Sequence, residues 1–140
     1  ADRILKSLIL FLGGICTPLP LFAASYTWDG GGADGNWTTA ANWSGDAAPV
    51  GASTNDLIFA GTTRTSTTDN FAAGTDFRNL TFESNAGAFT LAGSSRLDLF
   101  GSITNLSASL QTISLPVQLS TLNSSHAVDS GSGAGMTISG

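Results

Sequence analysis

The sequence predicts an all-β protein, the start of a parallel β-solenoid (β-helix) behind an N-terminal cap rich in tryptophan. Three observations carry this expectation. From Phe77 onward, short alternations of apolar and polar residues recur at roughly eight- to ten-residue spacing. The turns between them are small and rich in Gly, Ser and Asn, and the second half holds no Asn-Gly or Asp-Gly hairpin pair. The polar surface is mostly uncharged: 18 Ser, 17 Thr, 8 Asn and 17 Gly make up 60 of 140 residues, and only 11% are charged. That is well below the roughly 25% of an ordinary globular chain and leaves too little Glu, Lys and Arg for coiled coils or surface helices. An antiparallel β-sandwich is the alternative architecture. The solenoid is preferred because strands this short, with Leu, Ile and Phe at the apolar positions, can stack them in columns inside a coil.

Residues 1–25 read as a signal peptide. Arg3 and Lys6 precede the apolar run from Leu8 to Cys16, Pro18 and Pro20 follow, and Ala23 and Ser25 fit the small-residue positions of a cut before Tyr26. The run is shorter than the about 20 residues a membrane helix needs. The other readings are a buried N-terminal helix and lipid attachment at Cys16, the latter disfavoured by the bulky Ile15 before it. Without residues 1–25 the chain keeps three arginines (Arg64, Arg78, Arg96), nine carboxylates and no lysine or cysteine. It then has no disulfide, no cysteine metal site and no basic patch for nucleic acid. No transmembrane span is expected in the mature part.

Residues 26–61 form the expected cap. All three tryptophans, Trp28, Trp37 and Trp43, lie here with the single tyrosine, Tyr26, among Gly, Asp and Asn that favour tight turns. Asn36-Trp37-Thr38 and Asn42-Trp43-Ser44 make a near-repeat, and Asp56 to Ala60 reads as a short apolar strand. Residues 62–140 form the expected first coils, continuing past 140. Within them 62–76 is a Thr/Ser/Asp-rich loop with a weak strand. Strands are then expected at 79–82, 88–91, 96–99, 102–104, 112–115, 117–119 and 136–138.

The run from Tyr26 to Gly32, then Gly35 to Ser44, Ala48-Pro49 and Asn55 to Phe59, resembles the N-terminal region of secreted bacterial proteins with autotransporter-associated β-strand repeats. The resemblance covers about residues 26–140, and Gly135 to Gly140 comes nearest to the repeat unit itself. It implies a long β-helical, adhesin-like or structural protein, secreted or at the outer cell surface. It carries over no catalytic residue and no cofactor.

The remaining chemistry-bearing residues have plainer readings. His126 stands near Ser124, Ser125 and Asp129, but a triad is a matter of geometry, and serine is abundant here; an exposed loop histidine is the default. Asp29, Asp34 and Asn36 among glycines suggest a calcium loop, yet they miss the alternating ligand spacing with a distal glutamate, and turn formation explains them; no metal is expected. Asp69, Asp76, Glu83 and Asp98 could supply a glycosidase carboxylate pair without forming a motif. Five Asn-x-Ser/Thr sequons, at Asn36, Asn42, Asn79, Asn105 and Asn123, read as a by-product of composition. The main expectation is thus a non-enzymatic surface protein. Its alternative is a carbohydrate-binding or polysaccharide-cleaving β-helix in which Trp28, Trp37 and Trp43 stack on sugar rings, with extracellular polysaccharide or cell-surface components as partners.

Overall fold

The computed structural model describes residues 22–120, 125–131 and 134–140. The expected signal peptide lies outside them up to residue 21. The first strand, β1 (Ser25–Trp28), begins just before the expected cut, and the Ala24 N–H donates to Asn55 Oδ1. The chain then forms β2 (Asp56–Phe59), β3 (Ser66–Asp69), β4 (Thr75–Phe77), β5 (Leu80–Phe82), β6 (Thr90–Gly93) and β7 (Leu97–Leu99). It continues through β8 (Ile103–Asn105), β9 (Gln111–Ile113), β10 (Val117–Leu119), β11 (Val128–Asp129) and β12 (Met136–Ile138).

These strands stack as a β-solenoid of about three turns with three parallel sheets, in the orders β1-β2-β5-β8-β11, β3-β6-β9-β12 and β4-β7-β10. All strand pairings among the described residues are parallel, so the antiparallel sandwich is set aside. Each sheet places side chains of successive coils in register. One column runs Tyr26, Leu57, Leu80, Ile103, Val128, its last three steps spanning 23, 23 and 25 residues. A second runs Trp28, Phe59, Phe82, Asn105, and a third runs Thr67, Leu91, Ile113, Ile138. Alternate residues of each three- or four-residue strand point inward, so the apolar members of these columns stack into one continuous core. The columns are closed at the N-terminal end and open at the other, where Val128 and Ile138 are 52% and 42% exposed.

The expected strands from 79 onward all form, most of them shifted by a residue or two, with β10 and β12 as expected. The 62–76 stretch, expected as a loop with a weak strand, holds all of β3 and the start of β4, which ends at Phe77. Its signal was weak because β3 turns Thr67 and Asp69 inward, so the burial alternation is not an alternation of apolar and polar residues. Short β11 also went unread: Val128 and Asp129 are both exposed, and no buried residue marks the strand.

Two buried amides stand where apolar residues stand in neighbouring coils. Asn105 takes the place of Phe82; its Nδ2 donates to the Ser109 and Ala134 carbonyls and its Oδ1 accepts the Ser107 N–H. Gln111 accepts the Phe89 N–H at Oε1 and donates from Nε2 to the Gly87 and Ser109 carbonyls. Both amides bond backbone groups at solenoid corners, where strands end and main-chain polar atoms would otherwise be buried unpaired.

Gly93 closes β6 opposite Asp69 with φ 153°, and a Cβ there would lie 2.6 Å from the Asp69 carbonyl oxygen. Gly45 also has positive φ, 82°, but nothing lies within 4 Å of its would-be Cβ. Gly93→Ala is therefore expected to destabilise by about 1–3 kcal/mol more than Gly45→Ala, because a backbone clash adds to the conformational cost. Thermal melts of the two variants side by side check this.

Candidate functional site

Trp28 comes from the end of β1, while Trp37 and Trp43 come from the long 29–55 connection, which holds a single 3-10 turn at Ala40–Asn42. The three indoles converge on Phe59 of β2. Trp28 and Trp43 meet edge-to-face at 5.2 Å and 87°, Trp37 and Trp43 at 6.4 Å and 87°. Phe59 lies 6.1, 5.4 and 5.9 Å from Trp28, Trp37 and Trp43. Such tilted and T-shaped contacts suit the aromatic quadrupole, and the cluster continues the inner column through Phe82 and Phe89. Relative exposures are 0% for Trp28 and Trp37 and 1% for Trp43, so none presents a ring face to solvent. Two indole N–H groups are satisfied internally: Trp37 Nε1 donates to Thr67 Oγ1 at 2.9 Å, and Trp43 Nε1 to the Trp37 carbonyl at 2.7 Å. Trp28 Nε1 is buried with no hydrogen-bond partner among the described residues.

The same connection covers two sheet edges. Trp43 bridges Trp28 in antiparallel sense, and the Ser44 N–H donates to the Thr27 carbonyl, which occupies the outer edge of β1. Asn36 bridges Thr68 in parallel sense, with Trp37 N–H to Thr68 O and Thr68 N–H to Gly35 O, which occupies the outer edge of β3. The connection therefore does two things a solenoid end requires: it seals the apolar columns and it pairs the strand edges.

Two residues organise this connection, and the sequence reading did not single out either role. Asn42 is fully buried; its Nδ2 donates to the Asp34 and Asn36 carbonyls and its Oδ1 accepts the Gly32 N–H. Arg64, with φ 49°, reaches back from the β2–β3 turn to the Gly30 and Gly32 carbonyls. Gly30 is required beneath it, because with φ 69° a Cβ would sit 2.5 Å from the Thr63 carbonyl oxygen. The near-repeat was the visible trace of Asn42, but sequence alone could not tell the buried Asn42 from the half-buried Asn36.

The calcium-loop residues are engaged in turns. Asp29 Oδ1 accepts the Gly31 N–H, while Asp34 accepts the Asn36 N–H at Oδ1 and the Asn36 amide at Oδ2. Hydrogen bonds from Thr39 first, then from Asn36, hold the Asp34 carboxyl below the usual carboxylate range. No group of three or more His, Cys, Asp or Glu suited to a metal ion occurs among the described residues.

The four candidate carboxylates fall on three sides of the coil. Asp69 ends β3 and is 3% exposed, its Oδ1 accepting the Phe71 N–H; burial pushes its carboxyl up to about 6. Glu83 follows β5. Asp76 and Asp98 are register partners across β4 and β7, and the Arg96 guanidinium grips Asp98 with two bonds of 2.6 and 2.9 Å. Asp76 and Asp98 are thus the two the fold brings together, with one of them held by an arginine.

His126 is half-buried rather than an exposed loop histidine. Its Nδ1 lies 2.7 Å from the Gly101 carbonyl oxygen and its Nε2 meets the Ser120 carbonyl oxygen, so neither nitrogen is left to serve as a serine base. Asp129 bonds the Gly131 N–H, and Ser124 lies outside the described residues. Among the sequons, Asn42 and Asn105 are fully buried as backbone-bonding amides. No helix among the described residues is long and apolar enough to cross a membrane. Compared with family models, curated proteins and solved structures, the chain matches none of them.

Proposed function

We propose that this chain is a capped β-solenoid with a structural or adhesin-like role, secreted or held at the outer cell surface, and that it is not an enzyme. The observation that carries the reading is the burial of Trp28, Trp37 and Trp43 in the end seal, where their aromatic area stabilises the first coil. The resemblance of residues 26–140 to secreted β-repeat proteins and the signal-like residues 1–25 support export, with Tyr26 as the mature terminus.

Expression with export, followed by intact mass and a polysaccharide panel, tests the proposal. The expected result is an extracytoplasmic product starting at Tyr26 that releases no sugar from any polysaccharide. Retention of Leu8 to Cys16 in the exported form would contradict cleavage before Tyr26, and a product that stays in the cytoplasm would remove the case for export. Sugar release that is abolished by Asp76→Asn would replace the structural reading with the polysaccharide-cleaving one.

A further inference from the structure

The geometry points to His126 as a pH-dependent clasp on the last described coil, closed only when its ring is an imidazolium. Both ring nitrogens face backbone carbonyl oxygens: Nδ1 that of Gly101 at 2.7 Å, Nε2 that of Ser120. A neutral imidazole has one N–H and one lone pair, so in this arrangement one contact is a hydrogen bond and the other sets a lone pair against a carbonyl oxygen. The imidazolium donates at both nitrogens, and charge-assisted bonds are the stronger kind.

The two carbonyls belong to different levels of the solenoid. Ser120 follows β10, and its own N–H donates to the Leu99 carbonyl. Gly101 sits at the corner between β7 and β8, with its N–H donating to the Arg78 carbonyl. Directly after the histidine, the Ala127 N–H donates to Ser102 Oγ at 3.1 Å, and the Ala127 carbonyl accepts the Ile103 N–H at 2.9 Å as β11 joins β8. A closed ring therefore fixes where β11 enters its sheet, and an open one releases that entry.

The charged groups on the neighbouring elements have partners of their own. On β11, Asp129 accepts the Gly131 N–H. One coil below Gly101, the Arg78 guanidinium is paired with Asp56. Asp98, beside Gln118 of β10, is paired with Arg96. Among the described residues, the carbonyl pair is thus the direct polar environment of the ring.

The test uses the full chain carrying Asp69→Asn, so that the buried Asp69 carboxyl, pushed up to about 6, is silent. Amide exchange of Ile103 and Ala127, corrected for the intrinsic pH dependence of exchange, is followed from pH 5 to pH 8, together with the 15N shifts of the histidine ring. The expected result is protection of both amides that falls about tenfold or more as the ring loses its second proton, with both ring nitrogens protonated while protection is high. In His126→Gln, which cannot change its proton count, protection should be flat across the same range. PH-independent protection in the parent would overturn the clasp. So would an equal fall in His126→Gln, or a ring with one bare nitrogen while both amides stay protected.

Discussion

Replacing Trp37 with alanine is expected to destabilise the chain by roughly 3–5 kcal/mol, a large share of the 5–15 kcal/mol that holds an ordinary domain folded. Trp37 is fully buried and touches Trp43, Phe59 and Phe71. Its removal takes the donor from Thr67 Oγ1, and its indole cannot be replaced by collapse, because the β3 edge strand passes directly beside it through the Asn36–Thr68 bridge. Loss of the ring also loosens the connection that covers β1, so the damage is expected to spread to the first coil. Thermal or urea unfolding of Trp37→Ala beside the parent measures the effect. A surface tryptophan used for sugar stacking would behave in the opposite way, with an unchanged melt and weakened binding.

Asp69→Asn is expected to stabilise the protein at neutral pH and to do nothing at pH 4. Burial raises the folded-state carboxyl to about 6 from an ordinary value of 3.8, so the folded chain binds the proton more tightly than the unfolded chain does. Stability is then greatest below the unfolded value, falls as pH rises between about 4 and 6, and stays at its lower level above that. The difference is at most about 3 kcal/mol, from about 1.4 kcal/mol per pH unit over that interval, and smaller where solvent screens the carboxylate. Asparagine keeps an oxygen for the Phe71 N–H and has no charge to bury. Melting temperature against pH for both proteins checks it: the parent should decline between pH 4 and 6 while the variant stays level through that window.

The architecture was legible where the inward positions are Leu, Ile or Phe. Leu97 and Leu99 flank a polar Asp98 and mark β7 at once, and Leu80 and Phe82 around Thr81 mark β5 in the same way. It was illegible where β3 turns Thr67 and Asp69 inward, and strand bounds slipped by a residue at the inward Asn105 and Gln111, which end β8 and open β9 just outside the expected 102–104 and 112–115. Asp69, Asn105 and Gln111 are buried bonding backbone groups and Thr67 bonding the Trp37 indole, a reason that exists only once the coil has closed. The aromatic cap was legible as a cluster of tryptophans. What the sequence could not supply was the pairing of Asn36 with Thr68 and of Trp43 with Trp28, because contacts across 32 and 15 positions leave no periodic trace. Arg64 was likewise visible only as one of three scattered cations, and its grip on the Gly30 and Gly32 carbonyls depends on a turn that the chain reaches 34 residues later.

Whether the tryptophans seal the solenoid or display themselves to sugars can be read from their own fluorescence. All three indoles of the protein lie in the seal, so the signal reports on nothing else. A buried seal gives blue-shifted emission, little quenching by acrylamide, and a spectrum unchanged by saturating polysaccharide. Red-shifted emission that acrylamide quenches readily, and that a polysaccharide then protects and shifts, would contradict it.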